Sequence, residues 1–357
     1  MTRIGLLNAY STHNIGDAAI YAAYAQILQG VEFACDLAGI GTQPLTRGCD
    51  AYISVGGDIF NNARPRLATR RFLRNLMALH EAPGDRTILF GQSIPPSCRG
   101  FSLFALSRVL RRLSSVFVRD EASNAVLRRA GVDAQLSFDT AFGLKPTAAG
   151  AAAARALLDA AEVRPEHSAF ISLRGFSGMY AHTSATLVAH LQQLAAGLAR
   201  RGHAPVALIQ SAVDGMDDDR AVARELAKAV PALKILDFTR TSGTQAWDCA
   251  AAALSRARVV VAIRYHTAVL RMLAGRSSYN LFYSNKGADL VTRLGQPGCD
   301  LATFDVDREL DAVERSAETI FDIAPVRAQV RSDLRRACRK AIAANRPIED
   351  MGAARVI

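Results

Sequence analysis

The stretch VVVAIRYHTAVLRMLAG, residues 259–275, decides the fold of this chain. It opens with a run of apolar residues, passes through Arg264, Tyr265 and His266, and continues with apolar residues at helical spacing. A short buried strand followed at once by an amphipathic helix is the building unit of parallel α/β sheets. Because such sheets bind ligands at the carboxyl ends of their strands, the polar junction in this stretch is also a candidate binding site.

The same alternation of strand and helix repeats along the whole sequence. The other strand candidates are RIGLLNAY (3–10), AYISVGG (51–57), TILFGQS (87–93), SVFVRD (115–120), HSAFISLRG (167–175), APVALIQS (204–211), LKILDF (233–238) and SSYNLFY (277–283). Helical patterns lie between them, and a chain of 357 residues exceeds the usual size of one domain. We therefore expect an α/β protein with two Rossmann-like doubly wound domains facing across a cleft. The expected ranges are 1–145 and 146–324, followed by a basic C-terminal helix and tail over 325–357.

Charge and cysteine usage narrow the classes of partner. The formal net charge is +10, mostly through arginine, which favours anionic partners such as phosphorylated metabolites, lipid-linked sugars or an acidic membrane surface. Nucleic acid is disfavoured, since no basic run carries interleaved aromatic residues. The six cysteines form no C-x-x-C pair, which argues against disulfides and a zinc site. The expected location is cytoplasmic, with peripheral contact to the inner face of the membrane as an option.

The C-terminal helix carries most of the clustered positive charge. Its cationic residues are Arg327, Arg331, Arg335, Arg336, Arg339, Lys340 and Arg346. Two interpretations stay open: a solvated basic face, or a surface that docks on an acidic membrane or a polyanionic acceptor.

The loops of the first half supply one group of candidate site residues. In HNIGD, Gly16 permits a tight turn, while Asn14 or Asp17 caps the next helix, whose N-terminus attracts anions or hydroxyl-rich ligands. The alternative is that Asp17 serves only as a cap. Further candidates for substrate contact follow the next strands, namely Gly56, Gly57, Asp58, Gln92 and Arg119.

The loops of the second half supply cations and one imidazole. Arg174 ends a strand and is suited to binding a carboxylate or phosphate. Arg264, Tyr265 and His266 follow the next candidate strand, and histidine transfers protons readily near neutral pH. Lys286 is a further anion contact. The alternative is a structural ion pair for Arg264 and a helix-capping role for His266.

These motifs, in this order, resemble those of the polysaccharide pyruvyl transferases. The matching segments are NIGD (14–17), VGGDIF (55–60), GQSIPP (91–96), VRDEAS (118–123), SLR (172–174), RYH (264–266) and YSNK (283–286). The resemblance covers about residues 4 to 295, and it rests on the order and spacing of the motifs together.

The resemblance implies a glycosyltransferase-B-like architecture and a reaction. The reaction is transfer of a pyruvyl group from phosphoenolpyruvate to sugar hydroxyls, usually as a cyclic ketal, with no metal and no cofactor besides the donor. It implies that Arg174 and Arg264 bind the donor and that His266 donates the proton. Residues 14–17 would lie across the cleft near the acceptor, with Asp17 as the base for its hydroxyl.

Two departures from the family pattern fall in the first half. Asp58 stands where relatives usually have a third glycine, and Ser93 stands where the G-Q loop usually continues with glycine. Both departures fall on the expected acceptor side and therefore bear on the identity of the acceptor. In this interpretation the acceptor is a sugar, a glycan or a lipid-linked sugar. Two other functions stay open: a glycosyltransferase that uses a nucleotide sugar, and a non-catalytic protein that binds anionic glycans.

Overall fold

The chain forms two compact units that are discontinuous in sequence. The computed structural model describes residues 2–8, 13–34, 48–62, 68–175, 184–213, 217–241 and 245–345. The first unit comprises residues 1–10, 24–140 and 328–357, and the second comprises 11–23 and 141–327. The expected ranges ran one after another along the chain, whereas here residues 11–23 group with the second unit and residues from 328 onward with the first.

The first unit contains a six-stranded sheet in which all neighbouring strands are parallel. Its strands are β1 (Arg3–Leu7), β2 (Glu32–Ala34), β3 (Ala51–Ser54), β4 (Thr87–Gln92), β5 (Ser115–Val118) and β6 (Ala134–Leu136). Their order in the sheet is β2-β1-β3-β4-β5-β6, so the order reverses between β1 and β3. This is the order of flavodoxin-like doubly wound sheets.

The second unit contains another parallel six-stranded sheet. The strands of this unit are β7 (Ser168–Ser172), β8 (Ala204–Ile209), β9 (Ala212–Val213), β10 (Asp217–Asp218), β11 (Lys234–Asp237), β12 (Val259–Ala262), β13 (Tyr279–Phe282) and β14 (Gly298–Asp300). The order in the sheet is β11-β8-β7-β12-β13-β14, while β9 and β10 form a small antiparallel pair. The order therefore reverses between β7 and β12, as in a Rossmann domain.

Helices connect the strands throughout. They are α1 (Ile15–Ile27), α2 (Arg70–Glu81), α3 (Phe101–Leu110), α4 (Glu121–Arg129), α5 (Ala148–Ala160), α6 (Ser184–Arg200), α7 (Asp219–Ala229), α8 (Ala246–Arg256), α9 (Tyr265–Met272), α10 (Asn285–Thr292), α11 (Val306–Arg315) and α12 (Ala324–Ala343). The helices and the two parallel sheets confirm the predicted α/β class with two Rossmann-like domains.

Each unit has its own hydrophobic core. The strands β3, β5, β7 and β12 are buried at every position, because helices cover both faces of a parallel sheet. This explains why the sequence shows them as continuous apolar runs and not as alternating patterns. Burying each large apolar side chain stabilises the folded state by about 1.5–3 kcal/mol.

Several cations of the basic helix α12 contact other parts of the protein. Val330, Leu334 and Cys338 face the first unit's core and are buried. In the same unit, Arg331 donates to the carbonyl of residue 26 at 3.3 Å, and Arg335 donates to that of residue 27 at 3.1 Å. These are carbonyls of the last turn of α1, which lacks a basic residue of its own.

Other cations of α12 are engaged in the same way. The Lys340 ammonium donates to the carbonyl of Ser114 at 2.6 Å, and Arg336 lies over the ring of Phe117 at 5.7 Å. Arg327, in the second unit, donates to the carbonyl of Leu144 at 3.1 Å. These five cations make intramolecular contacts, but Arg335, Arg336 and Lys340 are also exposed to solvent, so docking of this helix on an acidic surface stays a prediction. Residues 346–357, the predicted tail, lie outside the described residues.

No helix among the described residues is long and apolar enough to cross a membrane.

Candidate active site

The predicted cations of the second half gather where the second sheet reverses its strand order. Arg174 lies two residues beyond β7, and Arg264 lies two residues beyond β12. The strands β7 and β12 are neighbours in the sheet, so their carboxyl ends are adjacent. In doubly wound sheets this reversal point opens a crevice in which ligands bind.

Arg264 is held by a buried carboxylate that the sequence analysis did not identify. Asp219 is fully buried at the start of α7, and Arg264 is 6% exposed. The Nε atom of Arg264 donates to the two oxygens of Asp219 at 3.2 and 3.0 Å, and Nη2 donates to Oδ1 as well. The predicted alternative, an ion pair for Arg264, is thus present, and it fixes the orientation of the guanidinium.

Asp219 also anchors the backbone at the end of β8. Its Oδ2 accepts the N–H groups of Gln210 at 2.9 Å and Ser211 at 3.0 Å. The side chain of Gln210 accepts hydrogen bonds from Ser172 at 3.1 Å and from Thr267 at 2.5 Å. The carboxylate and this hydroxyl network tie the ends of β7, β8 and β12 together beneath Arg264.

A pocket between the ends of β12 and β13 is lined by Lys286, the third predicted cation, and by two tyrosines. Its walls include Arg264, Tyr265, Tyr283 and Lys286. The Lys286 ammonium lies 5.8 Å from the centre of the Tyr265 ring, and the Arg174 guanidinium lies 5.2 Å from the centre of the Tyr283 ring. Cation–π contacts of this kind hold long cationic side chains in place. Arg174, Arg264 and Lys286 are therefore brought to one region, as predicted.

His266 lies at the first turn of α9 and packs on a glycine. Its ring is half-buried and meets the Tyr265 ring edge-on, with centres 5.3 Å apart. A Cβ atom added to Gly16 would lie 2.2 Å from Nδ1 of His266. Any side chain at position 16 would push the imidazole away, so the glycine of the N-x-G-D motif makes room for the histidine of the R-x-H motif.

The start of α1 is part of the second unit and pairs with the segment after β8, beside His266. Asn14 forms an isolated antiparallel bridge with Ser211, and the N–H of Ile15 donates to the carbonyl of Gln210 at 3.0 Å. The Asn14 side chain caps the helix by accepting the N–H of Gly16 at 2.9 Å. Asp17 is half-buried in the first turn of the same helix.

This placement corrects one implication of the resemblance. Residues 14–17 were expected to lie across a cleft from the RYH motif, in the first domain. They belong instead to the second unit and reach His266 directly. The reason is the backbone pairing with the end of β8, which periodicity in the sequence does not reveal.

The strand ends of the first unit hold Arg119 in a closed network. Arg119 is 1% exposed and forms ion pairs with Asp139 at 2.6 Å and Asp58 at 2.7 Å. Its Nε donates to the hydroxyl of Ser93 at 2.7 Å. The two departures from the family pattern, Asp58 and Ser93, thus meet on one guanidinium. Arg119 was predicted to contact substrate, but this enclosure gives it a structural role.

The remaining candidates of the first unit are also backbone and packing elements. Gln92 is fully buried, and its amide donates to Ser54 at 2.7 Å and to the carbonyl of Val55 at 2.5 Å, which joins β4 to β3. A Cβ at Gly56 would meet the carbonyl oxygen of residue 91 at 2.8 Å. Gly57 has a φ of +132° and pairs with Gln92. These contacts shape the strand ends, and the predicted substrate contact of the three residues stays a prediction.

Two residues of the site were missed in the sequence. Tyr283 follows β13 directly, and the rule that ligands bind at strand carboxyl ends could have identified it. Asp219 lies in the acidic run 217–219, where it has the signature of an ordinary helix start. No local pattern distinguishes it, because its partner Arg264 is 45 residues away.

The charges of the second unit's site suit a small anion. Asp219 neutralises Arg264, while Arg174 and Lys286 add further positive charge at the same strand ends. His266 stands next to them with a group that can carry a proton. Within the described residues, no cluster of three or more His, Cys, Asp or Glu side chains could hold a metal ion.

Comparison with protein families gives one match. A family model described as polysaccharide pyruvyl transferase matches residues 14–285. No curated protein matches the chain significantly.

Solved structures resemble the chain in fold. The alpha,alpha-trehalose 6-phosphate synthase from Burkholderia multivorans is 13% identical, with a TM-score of 0.52 over 99% of this chain and 98% of that one. A UDP-GlcNAc 2-epimerase from Methanocaldococcus jannaschii, in complex with UDP-GlcNAc and UDP, is 10% identical. Its TM-score is 0.50, over 94% of this chain and 99% of that one. These likenesses concern the fold alone, and they agree with the predicted glycosyltransferase-B-like class.

Proposed function

Because the chain belongs to the polysaccharide pyruvyl transferase family, we propose that it moves a pyruvyl group from phosphoenolpyruvate to a sugar acceptor. The acceptor is a sugar, a glycan or a lipid-linked sugar with two suitably spaced hydroxyls. The products are a cyclic pyruvate ketal and inorganic phosphate.

The observation that carries this proposal is the group of cations beside His266 at the reversal point of the second sheet. Phosphoenolpyruvate carries a phosphate and a carboxylate on a three-carbon frame, so its site needs at least two cations and a proton source. Arg174 and Lys286 supply the net positive charge, since Asp219 already balances Arg264. The fixed orientation of Arg264 suits a bidentate hydrogen bond to one of the two anionic groups.

The reaction needs a proton at carbon and two new carbon–oxygen bonds. His266, as an imidazolium, protonates the methylene carbon C3, and positive charge develops at C2. One acceptor hydroxyl attacks C2, and the bond between C2 and the bridging oxygen of the phosphate breaks. The second hydroxyl then attacks C2 and closes the ketal ring. Of the two hydroxyl protons released, one is taken up by Asp17, the proposed base, and returns through solvent to His266, and the other leaves with phosphate.

Asp17 is the proposed base for an acceptor hydroxyl. It occupies the first turn of α1, one residue beyond the glycine on which His266 packs. In this assignment Asp17 is the base and His266 is the acid of the same reaction.

The test uses purified protein, phosphoenolpyruvate and a panel of glycans. We expect release of inorganic phosphate together with a glycan product that carries a pyruvate ketal, identified by mass and by its acid lability. We also expect phosphoenolpyruvate to raise the melting temperature of the protein by mass action. Stabilisation by nucleotide sugars and not by phosphoenolpyruvate would favour a glycosyltransferase and contradict the proposal.

A further inference from the structure

A hydrophobic surface on the first unit has no role in the site described above. Of the large hydrophobic side chains that are exposed in the described part of the chain, four lie on α2 and α3. They are Leu73 (41% exposed), Met77 (56%), Phe101 (59%) and Phe104 (57%). We call these four residues the α2–α3 patch. Single exposed apolar residues are common, but a concentration of large ones marks an interaction surface.

The topology brings the four side chains to one face of the first sheet. The helices α2 and α3 connect β3 to β4 and β4 to β5, which are successive neighbours in the sheet. Right-handed crossovers place both helices on the same side, and the two helices pack on each other. Leu73 and Met77 are four residues apart and Phe101 and Phe104 three apart, so each pair shares a helix face.

The inner faces of these helices are already used. Phe72 and Leu79 of α2 and Leu106 of α3 are buried in the core of the first unit. Leu76 and Leu103 are half-buried and pack against the same core. The α2–α3 patch is therefore a second, outward apolar face and not a poorly packed part of the core.

Arginine dominates the charge of the sequence segment that carries the patch, although Arg86, Arg111 and Arg112 also hydrogen-bond within the protein. Between residues 70 and 112 the sequence has two acidic residues, Glu81 and Asp85, and eight arginines. The arginines are Arg70, Arg71, Arg74, Arg86, Arg99, Arg108, Arg111 and Arg112. The Arg108 guanidinium lies 6.0 Å from the centre of the Phe104 ring, so the two side chains are presented together.

We propose that the α2–α3 patch docks on an anionic phospholipid bilayer. Phenylalanine, leucine and methionine insert below the headgroups, while arginines beside them bind lipid phosphates. Each arginine near an anionic surface strengthens binding about fivefold. The excess of arginine over acidic residues matches a negatively charged surface, and phenylalanine and leucine are typical of the apolar face of helices that lie at the surface of a bilayer. The basic helix α12 has exposed cations but, among the described residues, no exposed large hydrophobic side chain that could insert below the headgroups.

The experiment is sedimentation of the full-length protein with vesicles. One set contains phosphatidylcholine alone, and the other contains phosphatidylcholine with phosphatidylglycerol. The test variant is the double substitution Phe101→Ser/Phe104→Ser. The matched control is Ile320→Ser, which removes a side chain that is 85% exposed in the second unit. Circular dichroism and melting temperature show that each variant is folded.

We expect wild-type protein to sediment with the anionic vesicles and much less with the neutral ones. The double variant should lose binding by about tenfold or more, because two aromatic anchors are removed. Ile320→Ser should bind as wild type does. Arg108→Ala should weaken binding about fivefold and reduce its dependence on salt.

Three results would overturn the proposal. The first is wild-type protein that does not sediment with anionic vesicles. The second is a loss of binding for Ile320→Ser that equals the loss for the double variant. The third is a wild-type dimer that becomes monomeric on Phe101→Ser/Phe104→Ser, since the occupant of the patch would then be a second copy of the chain. None of these measurements involves phosphoenolpyruvate, so their outcome is independent of the proposed reaction.

Discussion

Both sheets carry an arginine where a strand ends, but the two arginines have different surroundings. In the first unit, Arg119 is enclosed by two carboxylates and a serine hydroxyl. In the second unit, Arg264 pairs with the carboxylate of Asp219, and Arg174 and Lys286 lie at neighbouring strand ends. An arginine at a strand end therefore does not by itself identify an anion site. The balance of charge around it, and its access to a pocket, decide which role it has.

The largest effect is expected from His266→Ala. If His266 donates the proton to carbon, its removal should lower kcat by about a hundredfold to ten-thousandfold. Donor binding should change little, because the cations stay in place. The measurements are phosphate release and the shift in melting temperature caused by phosphoenolpyruvate. His80→Ala, at an exposed position of α2, is the control. Normal turnover in His266→Ala would remove the proposed proton donor.

A substitution in the first unit should act on stability. Arg119→Ala leaves the fully buried Asp139 without its cation, which should lower the free energy of unfolding by about 3–5 kcal/mol. The measurement is urea denaturation. Below the unfolding transition, the affinity for phosphoenolpyruvate should match that of the wild type. A variant that is as stable as the wild type but has lost donor binding would contradict the different roles assigned to Arg119 and Arg264.

The matching substitution in the second unit should act on binding. Arg174→Ala should weaken phosphoenolpyruvate binding by about tenfold to a hundredfold, since a charge-assisted hydrogen bond contributes about 1.5–3 kcal/mol. Its unfolding free energy should change by less than about 1 kcal/mol because Arg174 is only half-buried. Calorimetric titration measures the affinity. Arg308→Ala, an exposed arginine in the same unit, should bind the donor as wild type does, and equal weakening in both variants would contradict the assignment.

Gly16→Ala should give the smallest effect. The added methyl group overlaps the imidazole of His266, and the displaced ring should lower kcat by about tenfold. The affinity for the donor should be unchanged. Ala25→Gly, on the exposed side of the same helix, costs about 1 kcal/mol of helix stability without touching His266. If both variants turn over equally fast, the contact between Gly16 and His266 has no part in catalysis.

The sequence predicted the elements of the fold well, because parallel strands buried on both faces appear as short apolar runs between helical patterns. The two-residue strands β9 and β10 were missed. Two strands of the six-stranded sheets, β2 and β14, were missed as well. Each has three residues and lies at the edge of its sheet, where a strong apolar run is not required. The order of the strands could not be derived, since it depends on pairing between distant segments.

The sequence analysis named several residues of the candidate site but did not identify the contacts that hold them. The candidates Arg174, Arg264 and His266, and the further candidate Lys286, follow strands that are neighbours in the sheet, while their part in binding and catalysis stays a prediction. The partners of these residues could not be derived from the sequence, because a carboxylate such as Asp219 looks like a helix cap until its long-range contact is known. The same limit explains why Arg119 was taken for a substrate contact and why the start of α1 was assigned to the wrong unit.

The most direct test of the central claim is a crystal structure of the protein with phosphoenolpyruvate. The account predicts that the donor lies at the reversal point between β7 and β12. Its phosphate or carboxylate should be about 3 Å from the guanidinium nitrogens of Arg174 or Arg264, with C3 facing the His266 imidazole. A donor bound at the strand ends of the first unit, near Arg119, would contradict the claim.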